Sequence, residues 1–182
     1  VDFNIPQTRD RLYIVAKQNN LNDFEWPQKN IPKNNLKNFL VSKPKKNKKL
    51  TKLKNTVLET WKGFLKRIPK NTYMPNPIWS MEFGATYPYE NSTPHSTNLK
   101  KLRKLKGSFG KSLKNISKEN IHEYIPKYAN KRVKKFPDWK IRMIRRSREF
   151  YKNNKVWIDK YLPKIKSLQF EAYQKLEWNC QG

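Results

Sequence analysis

The chain has 182 residues, with 41 Lys+Arg against 14 Asp+Glu and a formal net charge of +27. That length suits one ordinary domain; 6 Trp, 9 Tyr and 9 Phe exclude a disordered basic tail, and the charge calls for a polyanionic partner, nucleic acid first. The single cysteine, Cys180, excludes an internal disulfide and a cysteine-built zinc site. His95 and His122 stand at no metal-ligand spacing from it, so no metal is expected. No apolar run approaches the roughly 20 residues of a membrane span, and no signal peptide is visible. A soluble cytoplasmic protein without a membrane partner is the expectation.

The first element is a short strand. Gln7, Arg9 and Arg11 alternate, so an extended backbone turns all three to one face. Leu12 to Ala16 is an apolar run of strand formers, the pattern of a strand buried on both sides, and Pro6 marks where pairing can begin. Residues 17–42 are a polar connection with Phe24, Trp26 and the stretch Leu36 to Val41 as its anchors. A lysine run follows over residues 43–54. Thr56 and Glu59 have capping-box spacing, and Leu58, Trp61, Phe64, Leu65 and Ile68 repeat at helical spacing until Pro69.

Residues 70–98 are rich in Pro, Asn and Thr, with Ile78 to Gly84 readable as a short strand or an ordered loop. A second basic block covers residues 100–106 and ends in the glycine-bounded segment Gly107 to Gly110. Ser117 precedes a short helix, Lys118 to Ile125, stopped by Pro126. Pro137-Asp138 opens a long helix. Its stripe of Trp139, Met143, Ile144, Phe150, Tyr151 and Trp157 continues to Pro163, opposite Arg142, Arg145, Arg146 and Arg148. The sum is an α+β chain: a short N-terminal strand, a loop-rich middle with few strands, and a helical C-terminal third.

The run Pro6-Gln7-Thr8-Arg9-Asp10-Arg11, with an apolar strand after it, resembles one of the late motifs of the DNA cytosine-5 methyltransferases. The phrase Phe83 to Glu90 is similar to wording in the recognition region of a bacterial subset of that family. The first resemblance implies that Arg11 contacts the flipped-out cytosine, that Arg9 holds the catalytic loop and a nearby phosphate, and that Gln7 braces the motif. In the family this motif closes the catalytic domain and the chain then enters the region that recognises the DNA target. Residues 1–16 would thus end a catalytic domain and residues 17–182 would form a target-recognition domain, from a restriction-modification system or a phage. A start at Val1, inside the motif, suggests a segment of something larger.

The family's cofactor loop, its Pro-Cys nucleophile and its Glu-Asn-Val segment do not occur in this sequence, and Cys180 stands in a different context. The segment alone should therefore be inactive and hold no cofactor. S-adenosyl-L-methionine and the nucleophile would belong to a catalytic domain of the same protein, which becomes the segment's second partner beside double-stranded DNA.

DNA recognition needs phosphate contacts to grip and fixed side chains to read. Lys45, Lys46, Lys48, Lys49, Lys100, Lys101 and Lys104 suit the grip, since an ammonium is a point charge with little geometric selectivity; a solvated lysine face is the alternative. The segment Tyr87 to Asn98 and the arginines Arg142, Arg145, Arg146 and Arg148 are candidates for reading bases. Those arginines could equally grip backbone or meet acidic groups of another domain. Tyr87 and Tyr89 could contact sugars or bases, or pack in a core. Two other functions fit the same charge: a stand-alone RNA-binding or ribosome-associated protein, and a basic domain that docks on an acidic partner.

Overall fold

A lone carboxylate, Glu82, follows Ile78-Trp79-Ser80-Met81 in an otherwise apolar phrase, and the larger of two compact units is built around it. The computed structural model describes residues 12–18, 20–26, 36–46 and 48–177. One unit comprises Val1–Lys49 with Gln181–Gly182, the other Leu50–Cys180.

In the first unit the described residues form one 3-10 turn, Leu36–Phe39, and no strand. Gln7, Arg9 and Arg11 lie outside the described residues. The expected buried strand over Leu12 to Ala16 is not formed: Leu12 is 87% and Ile14 84% exposed. A strand buried on both faces needs a neighbour on each side, and the described residues of this unit offer none. Phe24 and Trp26 pack edge to face, ring centroids 5.1 Å apart, yet both remain open to solvent, as do Phe39, Leu40 and Val41. They are not the anchors that their apolar character suggests.

The second unit begins with α1, Lys52–Leu65. Its cap is Thr51, whose Oγ1 accepts the Lys54 amide at 3.3 Å, and not Thr56, whose hydroxyl donates back to the Lys52 carbonyl inside the helix. The helix thus starts within the lysine run, because Thr51 is the first residue before it able to take an orphan amide. Trp61 and Phe64 are buried, while Leu58 turns outward. Strand β1, Ile78–Trp79, pairs antiparallel with β2, Lys175–Leu176. A 3-10 turn over Ser80–Glu82 completes the Ile78 to Gly84 segment.

Helix α2, Leu99–Leu102, is capped by Asn98, whose side chain accepts the Lys101 amide at 2.9 Å. The expected helix over residues 118–125 shortens to a 3-10 turn, Asn120–Glu123. Ser117 still accepts the Asn120 amide at 3.3 Å, but Pro126 leaves too little chain for a nucleus. Helix α3, Asp138–Ile158, opens at Pro137 with Asp138 in its first turn, as read. It ends at Ile158, and Pro163 sits in the first turn of α4, Leu162–Lys166, rather than stopping a helix.

The core has two clusters. Tyr87, Leu113, Ile116, Phe136 and Ile144 belong to one; Trp61, Phe64, Phe83, Phe150 and Ile165 to the other. Adjacent strand residues point to opposite sides, so Trp79 joins the first cluster and Ile78 the second. Helix α3 spans both. Between its two apolar patches the buried Ser147 hydroxyl accepts the Trp79 amide at 3.1 Å, which satisfies a buried β1 donor. Among the described residues no helix is long and apolar enough to cross a membrane.

The loop over residues 107–111 threads tightly through this unit. Gly84 and Gly110 both have positive φ, 76° and 71°, and their backbones cross so closely that a Cβ on Gly84 would stand 3.3 Å from the Gly110 Cα. A Cβ on Gly107 would stand 2.1 Å from the Tyr124 carbonyl oxygen, which itself accepts the Ser108 amide at 2.7 Å. Gly107→Ala should therefore lose about 3 kcal/mol of stability, measured as a lower urea midpoint; an unchanged midpoint would mean the loop has room to shift.

Candidate nucleic-acid interface

Arginines on the polar side of an amphipathic helix normally face water, and three of the four on α3 do. Arg142, Arg145 and Arg146 are exposed. Arg148 turns inward, its side chain 15% exposed, onto the wholly buried Glu82, with Nε donating to Oε2 at 3.0 Å. Its Nη1 donates to the Tyr87 carbonyl at 3.0 Å, and its guanidinium lies 4.4 Å from the Tyr87 ring centre and 4.5 Å from that of Tyr89. A flat, delocalised cation suits a slot between two rings. Its remaining nitrogen, Nη2, is buried with no hydrogen-bond partner.

Glu82 takes two further donors on Oε1: the Tyr87 hydroxyl, and the Tyr128 hydroxyl at 2.6 Å. Three donors and one countercharge make burial of the carboxylate tolerable. Burial, followed by the nearby Glu82 charge, pushes the Tyr87 and Tyr128 phenols well above their usual value of 10.0. Both hydroxyls therefore keep the protons they donate.

This network corrects two expectations. Tyr87 has no exposed surface and cannot touch a base or sugar. Arg148 is committed to Glu82 and is no free reader. Tyr89 is half-buried at the edge of the slot. Beside it Arg145 donates to Glu90 Oε1 from Nε at 3.1 Å, with Nη2 in ion-pair contact at 3.0 Å. The Tyr89 hydroxyl and Arg145 together hold the Glu90 carboxyl below its ordinary value. Arg142 and Arg146 form no ion pair among the described residues. The outer face of α3 thus presents two unpaired guanidinium groups and one held by an exposed glutamate, with Tyr89 alongside.

The lysine candidates divide between the units. Lys45, Lys46, Lys48 and Lys49 are exposed in the first; Lys100, Lys101 and Lys104 are exposed on and just after α2 in the second. None forms an ion pair among the described residues. Sequence reasoning missed Glu82, although one signal was there: a carboxylate inside an apolar phrase must find a cation or stay protonated. Among the described residues no group of three His, Cys, Asp or Glu side chains could hold a metal ion.

Arg148→Met should leave Glu82 buried without its countercharge and cost about 3–5 kcal/mol in urea unfolding, whereas the double change Glu82→Gln with Arg148→Met should cost less than that single change. The phenols add a pH dependence. With folded pKa values above the unfolded value of 10.0, their contribution is complete below pH 10 and is lost as pH rises through the folded values. Thermal melts should fall above about pH 10, and less steeply for Tyr128→Phe; equal slopes would remove the phenols from the account.

Comparison with known proteins gives one result. A family model, C-5 cytosine-specific DNA methylase, matches residues 1–169. No curated protein and no solved structure matches the chain.

Proposed function

The chain belongs to the C-5 cytosine-specific DNA methylase family, and from that membership we propose that it is the target-recognition part of a DNA (cytosine-5-)-methyltransferase. In this reading it grips duplex DNA while the enzyme transfers a methyl group from S-adenosyl-L-methionine to a cytosine turned out of the stack. The observation that carries the reading is the outer face of α3, where Arg142 and Arg146 stand unpaired on a helix fastened to the core through Arg148 and Glu82. A guanidinium held on a rigid element meets a phosphate or a guanine edge with little ordering cost. Tyr89 and Arg145 extend that face. The lysines of both units add charge for the backbone.

The opening residues fit the same reading by resemblance. Arg9, Arg11 and Gln7 would serve the catalytic domain, with Arg11 at the flipped cytosine. The exposed apolar run from Leu12 to Val15 suits completion of a sheet supplied by that domain. The cofactor would be held there too, since the family's cofactor loop and Pro-Cys nucleophile are not among these 182 residues. The segment then makes no covalent step of its own; its work is to bind and orient. A bacterial or phage restriction-modification enzyme in the cytoplasm is the setting we propose.

The test is duplex binding by the 182-residue chain over a salt series. Contact with six to ten phosphates gives a log–log slope on the order of −5 to −9, and Arg142→Gln with Arg146→Gln should weaken binding and flatten that slope. In the whole methyltransferase Arg11→Ala should abolish methylation and leave most duplex affinity. Preference for structured RNA over duplex DNA would sink the reading.

A further inference from the structure

A second cationic cluster lies at the start of α3, one turn before Arg142, in a stretch that composition alone does not distinguish from other basic runs. Trp139 belongs to the apolar stripe by its spacing, yet it is 51% exposed. Its ring meets Trp79 edge to face at 6.3 Å, and Trp79 packs against Tyr128 with centroids 4.3 Å apart. Two lysines lie over this aromatic plate. Lys140 Nζ is 5.5 Å from the Trp139 ring centre, and Lys175 Nζ is 5.5 Å from that of Trp79 and 5.0 Å from that of Tyr128. The Tyr128 carbonyl accepts from Lys140 Nζ at 2.8 Å, which fixes that ammonium in place.

Lys131 stands exposed on the loop before the helix, three residues after Tyr128. Partial burial first, and then the charges of Lys131 and Lys175, hold the Lys140 ammonium below its ordinary pKa. Lys140 and Lys175 both lie against Tyr128, and among the described residues neither they nor Lys131 has an ion-pair partner. Glu171 is close enough to act on the Tyr128 phenol but pairs with none of the three. Arg132, Lys134 and Lys135 stand exposed on the same loop. An anion seated among Lys131, Lys140 and Lys175 would relieve their repulsion, and the half-exposed indole beside them offers a flat apolar surface. Phosphodiester next to a base or sugar is the chemistry that has both.

We propose that Lys131, Lys140 and Lys175 with Trp139 form a nucleic-acid contact, in which the lysines hold a backbone phosphate and the indole packs on the adjoining base or sugar. It rests on the DNA-binding reading above and gives that reading a second anchor, which neither the lysine runs nor the α3 arginines supply. Lys140 is also tied into the fold, so the informative changes are at Lys131, Lys175 and Trp139.

The experiment is salt-dependent duplex binding by the 182-residue chain, with folding of each variant checked by thermal melting. Lys131→Gln with Lys175→Gln should make the log–log slope shallower by about 1 to 2. Trp139→Ala should weaken binding several-fold with the slope unchanged, and Trp139→Phe should restore much of the loss. Lys152→Gln with Lys160→Gln, an equal change of charge at other exposed sites, should alter neither as much. Lys131→Gln alone, on the exposed loop, serves if the double variant fails to fold. A slope unchanged from wild type, or changed only as much as in the control pair, would overturn this contact and leave the family reading standing. If wild type does not bind duplex, both fall. If poly-glutamate binding depends on Lys131 and Lys175 while duplex binding does not, the surface serves an acidic protein and the proposal fails.

Discussion

The buried ion pair between Glu82 and Arg148 is the constraint on which the larger unit depends. It joins the turn after β1 to the middle of α3, and its tyrosine donors come from the Tyr87 loop and from the segment before the helix. Three parts of the chain distant in sequence, residues 82–87, Tyr128 and Arg148, thus meet at one carboxylate. Leaving either charge alone in the core would cost several kcal/mol, so these parts are held in one arrangement. Ser147, one residue before Arg148, adds the hydrogen bond to the Trp79 amide. The same helical turn therefore satisfies both a buried charge and a buried strand donor.

That interior explains the exterior. A helix bearing five basic residues between Lys140 and Arg148 would repel itself if free in solution, and its mean stability comes from packing rather than propensity. Once α3 is fixed by Ile141, Ile144, Ser147 and Phe150 on its inner side, Arg142 and Arg146 have a set direction. Tyr89 is set by stacking on the guanidinium of Arg148. Glu90 has a different part: it covers Arg145 with a carboxylate.

The two cationic surfaces of this unit differ in kind. Guanidinium groups on the outer face of α3 are forked donors suited to a defined partner geometry, while the ammonium groups near Trp139 are point charges crowded over aromatic rings. Lys140 and Trp139 share α3 with the arginines, so its orientation sets them together, while Lys131 and Lys175 come from the preceding loop and from β2.

Much of this was legible in the residues themselves. Charge and aromatic content pointed to a folded domain with a polyanionic partner; Pro137-Asp138 marked the start of α3; and the family named by resemblance is the one whose model matches residues 1–169. Those are local features, fixed by covalent structure, capping chemistry or composition. The partners of each side chain were not legible, because they depend on contacts between distant segments. Spacing alone put Arg148 among the outward arginines and Trp139 in the apolar stripe. Tertiary packing reversed both, since Glu82 needed a countercharge more than water needed a fourth arginine, and Trp79 with Tyr128 left the indole only half covered. The apolar run after Arg11 is the converse case: its sequence specifies a strand, but a strand forms only where a neighbouring strand meets its backbone donors and acceptors.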